Sequence, residues 1–300
     1  MAASSSRSLP LDRAGQFFRD FARDRVAVFG LGMLIVVVLA AVFAPLIAPQ
    51  DPYDLMHLDI MDGRLPPGST SMAGETYLLG TDTQGRDMLS AILYGLRISL
   101  LVGLGAAGLA FVVGTFAGLL AAYVGGRFET LMMRLVDLQL SFPTILAAML
   151  ILVFLGKGVT NVVLAIVIVE WATYARTARG SALSVMRREY VEAARSLMMP
   201  TRVIILHHLL PNCMSPLIVL LTMQAARAIA LEATLSFLGL GVPITEPSLG
   251  LLIANGFEFM LSGAYWISIF PGVALLITIY SINLVGDRLR RVLDPKATLR

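Results

Sequence analysis

Long uncharged or nearly uncharged runs recur at Val26–Ala48, Ile98–Gly126, Leu135–Gly156, Gly158–Val169, Asn212–Ala226 with a continuation past Ala233, and Phe259–Gly286. A helix needs about 20 residues to cross roughly 30 Å of hydrocarbon. The Gly158 run reaches that length by continuing through Glu170 and Trp171 to about Tyr174, and the fifth by including Arg227 and Glu232. Six spans are predicted. Between the fourth and fifth the pattern turns polar, from Arg187 to Leu197, and Pro200 limits any helix there to a short one. On a 3.6-residue period Glu189, Glu192, Arg195 and Ser196 share one side, with Tyr190, Val191, Ala193, Ala194 and Leu197 over the other. Such a helix fits a lipid surface as well as a groove on another protein.

Composition agrees with this pattern. The chain is 57% hydrophobic and 14% charged, with a mean hydropathy of +0.79; soluble domains carry about 25% charged residues. The predicted class is therefore an all-α polytopic membrane protein. The net charge of +3 lacks the basic-aromatic interleaving of a nucleic-acid surface and reads as a topology signal. Arg7, Arg13, Arg19, Arg23 and Arg25; Arg127 and Arg134; Arg176, Arg179, Arg187, Arg188, Arg195 and Arg202; and Arg288, Arg290, Arg291, Lys296 and Arg300 fall on one side. Arg64, Arg86, Arg97 and Lys157 fall on the other, an asymmetry of 18 to 4. By the positive-inside rule both termini and the polar loop are cytoplasmic. The expected layout is a cytoplasmic tail (1–25), a first span (26–48), an external loop with an interfacial helix (49–96), a core of five spans (97–286) that includes the cytoplasmic loop 187–211, and a cytoplasmic tail (287–300). The first apolar run is too long for a cleavable signal and is read as a retained span.

The external segment is acidic, and Pro66, Pro67 and Gly68 argue against a regular element in its middle. Its acidic part suits either a solvated linker or contact with an external delivery protein. Met88, Leu89, Ile92, Leu93 and Leu96 recur at helical spacing, as in an interfacial helix leading into span two. Gly114 and Gly118 have small-x3-small spacing, suited to packing within the chain or between subunits. Asp137 follows Arg134 at the spacing of a local ion pair. Glu170, Arg227 and Glu232 lie at membrane depth, where charges pair, meet another subunit or face a pathway. Pro143 interrupts span three and predicts a kink, either plain architecture or the flexible point of a gate.

Enzyme chemistry finds no support. His57, His207 and His208 have no cysteine cluster beside them, and there is no Walker-type loop, His-Glu-x-x-His or Gly-x-Ser-x-Gly. Cys213 stands alone and reads as a small buried hydrophobe. No catalytic, cofactor or metal residue is expected.

Ordered motifs then give a resemblance. Leu79-Gly80-Thr81-Asp82 with Gly85-Arg86-Asp87, Ala122 to Gly126, Met133-Arg134 with Asp137, Ser141-Phe142-Pro143, Trp171 with Tyr174-Ala175-Arg176 and Arg179, Glu189 to Arg195 with Leu210-Pro211-Asn212, Glu232 with Leu235 to Gly241, and Asp294-Pro295 follow one another along the chain. Together they resemble the permease subunits of ATP-binding-cassette importers for dipeptides, oligopeptides and nickel, most closely the C-type permease of the dipeptide group, from about Phe18 onward. The resemblance implies a type I importer permease fold in a bacterial inner membrane. It also implies a second similar permease subunit, two cytoplasmic ATPase subunits holding ATP and Mg2+, and an extracytoplasmic solute-binding protein, with no cofactor on this chain. The loop bearing Glu189, Tyr190, Glu192, Ala193, Ala194, Arg195, Leu197 and Pro211 would couple to the ATPases, while Asp137, Pro143, Glu170, Arg227 and Glu232 remain gate or pathway candidates. Met198 stands where the family usually has glycine, implying a looser turn or one shifted toward Pro200; Leu249 replaces a common aromatic. Peptide is preferred to nickel because no histidine-rich external path is present. An ion-coupled secondary transporter is the alternative from another class, although no inverted repeat is visible.

Overall fold

The computed structural model describes residues 19–54, 60–71 and 74–293. Arg7, Arg13, His57, Asp59, Asp294, Pro295, Lys296 and Arg300 lie outside the described residues. Helix α1 (Arg25–Val42) starts on Asp24, whose carboxylate accepts from the Val26 amide at 3.0 Å. The first run was expected to be one helix to Ala48, but it breaks at Phe43 and restarts as α2 (Ala44–Ile47). Pro45 is the cause: it has no amide to donate back to the preceding turn and its ring crowds that turn.

The external segment holds a two-stranded antiparallel hairpin, β1 (Ser69–Thr70) and β2 (Thr76–Tyr77), with Ser69 opposite Tyr77 and Thr70 opposite Thr76. It follows directly on Pro66-Pro67-Gly68, so the expectation of no regular element there is corrected. Helix α3 (Met88–Val124) has 37 residues, about 55 Å at 1.5 Å per residue. The interfacial helix expected before span two is the first part of this continuous helix. Met88, Ile92, Leu93 and Leu96 are buried in protein rather than laid on lipid.

Span three is also redrawn. Helix α4 (Gly126–Ser141) is amphipathic, α5 (Thr144–Leu155) is apolar after its first residue, and the chain turns by 95° between them. Pro143 and the extended Phe142 before it make a full break, not a kink. Helix α6 (Val159–Met186) runs on well past Tyr174. After α7 (Glu189–Ser196) come α8 (Thr201–Val203), a π-helical turn at Ile204–Leu209, and α9 (Leu210–Phe237), which together make one apolar stretch of 37 residues. Helix α10 (Leu249–Phe257) lies between α9 and α11 (Trp266–Leu293). The last span therefore begins at Trp266, not Phe259. Among the described residues five helices are long and apolar enough to cross a membrane, and the spans number six if the bent α4–α5 pair forms one.

The core is a stack of close helix contacts. The most extensive joins α3 to α6, and glycines allow it: a Cβ on Gly114 would sit 2.3 Å from the Trp171 carbonyl, and one on Gly118 2.3 Å from the Ala175 carbonyl. Phe111 and Tyr174 stack edge-to-face beside them at 5.7 Å. Gly103 similarly admits Ile229 of α9. Large apolar side chains such as Phe29, Val36, Leu101 and Phe154 remain on the outside, as on a surface solvated by lipid or by another membrane chain.

Candidate functional site

Helix α7 is short but placed by several independent contacts. Glu189 and Glu192 lie in its first turn and Arg195 in its last, the distribution that complements the helix dipole. Val191 and Ala194, three residues apart, are buried against a cluster from α3, α6, the π-helical turn and α9 that includes Leu119, Ala182, Val185, Ile204 and Leu209. Burying a valine contributes about 1.5–3 kcal/mol. The free ridge is thus Glu189, Tyr190, Glu192, Ala193 and Ser196, with Leu197 (77% exposed) at its end. Val191 and Ala194 form the inner face, so the side expected to hold Tyr190, Val191, Ala193, Ala194 and Leu197 together is split between inside and outside. Arg195 folds back, its guanidinium 5.0 Å from the Tyr123 ring centroid and one nitrogen 3.6 Å from Met186 Sδ. Tyr190 stands 6.1 Å from the His208 ring, and Thr201 Oγ1 donates to the Tyr123 hydroxyl at 3.4 Å. Pro211 is exposed in the first turn of α9, and Asn212 Nδ2 donates to the His208 carbonyl at 2.7 Å.

The turn after α7 is as tight as a glycine would make it. Met198 adopts φ +54°, a left-handed value few side-chain-bearing residues take. Its amide bonds the Arg195 carbonyl at 2.9 Å and the Met199 amide bonds the Ala194 carbonyl at 3.2 Å. These two bonds form a Schellman cap. The expected loosening, or shift toward Pro200, does not occur.

Two arginines of α6 tie α4 to it. Arg179 Nε donates to Glu129 Oε1 at 2.7 Å, and Arg176 pairs with Asp137. Asp137 therefore pairs across helices rather than with Arg134, its predicted partner one turn away. These pairs span 39 and 50 residues of sequence, too far for any local pattern to suggest. Arg176, Arg179 and Asp137 stood in the motif series, which was the available signal, whereas Glu129 carried none.

At the other end, the Leu79–Asp87 motif forms a compact knot. Gly80 takes φ +78° and passes so close that a Cβ would lie 2.5 Å from the Leu65 carbonyl. Thr81 Oγ1 donates to the Asp62 carbonyl at 2.5 Å and accepts from the Leu65 amide at 2.8 Å. Trp266 Nε1 donates to the Thr81 carbonyl at 3.1 Å, linking the knot to α11. Asp82 and Arg86 are each 1% exposed and face one another at 3.3 Å; Arg86 also donates to the Ile244 carbonyl at 3.2 Å. Burial pushes the Asp82 carboxyl up, with Arg86 pulling against it. Asp87 caps α3 by accepting from the Ser90 amide at 2.8 Å.

The membrane-depth charges separate into two kinds. Glu232 is fully buried and accepts from Ser99 Oγ at 2.9 Å and Ser236 Oγ at 2.7 Å, a polar tie between α3 and α9. Glu170 and Arg227 instead line a small cavity near Thr144. Pro143 lies at the head of α5 beside that cavity's Thr144.

With this geometry in place, comparison with known proteins is specific. Residues 114–299 match the family described as the binding-protein-dependent transport system inner membrane component. Residues 13–67 match the N-terminal transmembrane domain of oligopeptide transport permease C. The chain is 39% identical over 94% of its length to the Pseudomonas aeruginosa (strain UCBPP-PA14) di/tripeptide transport system permease protein DppC, covering 91% of that protein. It is 34% identical over 92% of its length to the Bacillus subtilis (strain 168) oligopeptide transport system permease protein OppC, covering 87% of it. An inward-facing structure of the MetNI methionine ABC transporter shares the fold, with a TM-score of 0.55 at 20% identity over 69% of this chain and 98% of that one. The chain belongs to the family of binding-protein-dependent transport system inner membrane components.

Proposed function

We propose that this chain is one permease subunit of an ATP-driven importer that carries di- and oligopeptides across a bacterial inner membrane. One observation carries the substrate class: relatives named for di/tripeptide, dipeptide and oligopeptide transport match over nine-tenths of the chain. It favours peptide over nickel and over an ion-coupled secondary transporter. In this reading a second similar permease completes the pathway. Two cytoplasmic ATPase subunits supply the energy by hydrolysing ATP with Mg2+, and an external solute-binding protein delivers the peptide. This chain itself holds no catalytic residue or cofactor.

Helix α7 is the coupling element. Val191 and Ala194 hold it to the permease, leaving Glu189, Tyr190, Glu192, Ala193 and Leu197 free for an ATPase groove. Arg195 stiffens it from behind, and Pro211 marks where the loop rejoins a span. When the ATPases approach one another, the load passes from α7 through the buried valine and alanine to α6 and α9.

The test is uptake of labelled dialanine by the chain reconstituted with a second permease, the ATPase subunits and the binding protein. Uptake should require ATP and the binding protein, and nickel should not accumulate. Glu192→Lys reverses a charge at the proposed interface, where like-charge contact costs several kcal/mol; Ala193→Trp overfills it at about 1–3 kcal/mol. Both variants should insert normally yet lose peptide-stimulated ATP hydrolysis and uptake. Normal coupling in both would remove α7 from this role. Nickel uptake without any peptide uptake would overturn the substrate class.

A further inference from the structure

Three charged or polar elements from three helices meet at one depth. A cavity of about 190 Å3 is lined by Thr144 and Ile145 at the start of α5, Glu170 of α6, and Arg227 and Thr234 of α9. Thr144 and Glu170 each lie 11 residues from the Leu155 and Val159 ends of their helices, and Arg227 lies 10 from Phe237. At 1.5 Å per residue this is about 15–17 Å, the middle of a hydrocarbon layer roughly 30 Å thick.

Each element is incompletely used. Glu170 is 4% exposed, and its Oε2 atom is buried with no hydrogen-bond partner. Arg227 lies within electrostatic reach of Glu170, yet its hydrogen bond goes to Gln224 Oε1 at 3.4 Å. Pro143 precedes α5 without a side-chain cap, so the first-turn amides of this 12-residue helix have no intrahelical acceptor and carry partial positive charge. A buried carboxyl oxygen without a hydrogen bond is costly in mid-membrane unless another donor approaches it.

The geometry points to a midway binding station for the charged ends of a peptide in transit, with Glu170 receiving the α-ammonium group and Arg227, with the start of α5, receiving the α-carboxylate. This assignment rests on the peptide-import reading and deepens it. A free peptide carries both charges, so it completes this arrangement; a peptide acetylated at its amino end offers Glu170 no cation.

The experiment uses the assembled importer in vesicles at saturating binding protein and with each peptide saturating that protein, so that discrimination by the binding protein itself drops out of the maximal rate. Dialanine and N-acetyl-dialanine are compared in the wild type, Glu170→Gln, Glu170→Asp and Arg227→Gln. Glu170→Gln should lower maximal dialanine uptake roughly tenfold or more, as expected for a lost charge-assisted hydrogen bond, and leave the N-acetyl-dialanine rate at its wild-type level. Glu170→Asp should restore much of the preference, and Arg227→Gln should slow both substrates. Rates are taken per assembled complex, with peptide-stimulated ATP hydrolysis as the measure of intact coupling. If the wild type imports no peptide, the import reading fails first. If it imports dialanine and Glu170→Gln matches it, or loses both substrates equally along with ATP hydrolysis, the station is overturned while peptide import stands.

Discussion

At Met198 a long side chain occupies a conformation that favours glycine. An L-residue in the left-handed region costs about 1–2 kcal/mol, while replacing it with glycine returns about 0.4–1 kcal/mol of that through a freer unfolded chain. Met198→Gly should therefore stabilise the α7 cap by about 0.5–1 kcal/mol, and the β-branched Met198→Val should weaken it. Limited proteolysis between Leu197 and Pro200 in purified protein is the measurement, with resistance ordered glycine, methionine, valine. Faster nicking of the glycine variant would show that the cap is not under this strain. The sequence made the departure at Met198 visible but not its outcome. The cap is held by backbone amides of Met198 and Met199, which any residue supplies, so side-chain identity alone could not reveal that the turn persists. The same applies to Asp137: its partner Arg176 is chosen by the crossing of α4 and α6, not by spacing along one helix.

Among the elements, the α3–α6 contact is the one most sensitive to volume. A side chain at Gly118 meets the Ala175 carbonyl at 2.3 Å and Ala178 Cβ at 2.8 Å, whereas Gly105 on the same helix has nothing within 4 Å. Gly118→Leu must force the helices apart, at the upper end of the 1–3 kcal/mol typical of overpacking or beyond it. Gly105→Leu should leave the isolated chain folded. Thermal unfolding in detergent should separate the two, with equal stability arguing against close α3–α6 packing. Hydropathy located α1, α3, α6, α9 and α11 because each crosses in one piece. It joined α4 to α5 because counting uncharged residues is blind to a change of direction at Pro143. It also passed over α10 between the fifth and sixth spans, since nine residues are too few to register as a crossing. The charged ridge of α7 was legible from its period, but the inward turn of Ala194 depends on what α6 and α9 place beneath it.

For the whole molecule, orientation follows from which segments share an end. Arg288 donates to the Asp20 carbonyl and Arg291 lies 3.9 Å from Asp24, bringing the two terminal segments together. Exposed pairs of this kind add little stability; their value is geometric. Thr177, Asn212 and Arg290 line one cavity of about 650 Å3, which puts the α7 end of α6 and α9 beside the end of α11. The opposite end gathers Thr81, Ile244 and Trp266 through the hydrogen bonds of the knot. The end that holds the described terminal segments and α7 also carries most of the described arginines, and from this the positive-inside rule predicts that it faces the cytoplasm. Single-cysteine labelling in a Cys213→Ala background tests this. Ser71 is buried and its hydroxyl accepts from the Glu75 amide at 3.2 Å, so Glu75, exposed beside it, is the better external position, with Ser196 as the cytoplasmic one. A membrane-impermeant maleimide applied to intact spheroplasts should modify Glu75→Cys and spare Ser196→Cys, and inverted vesicles should reverse the result. Modification of both from one side would break the two-ended architecture, and a reversed pattern would place α7 away from any cytoplasmic ATPase.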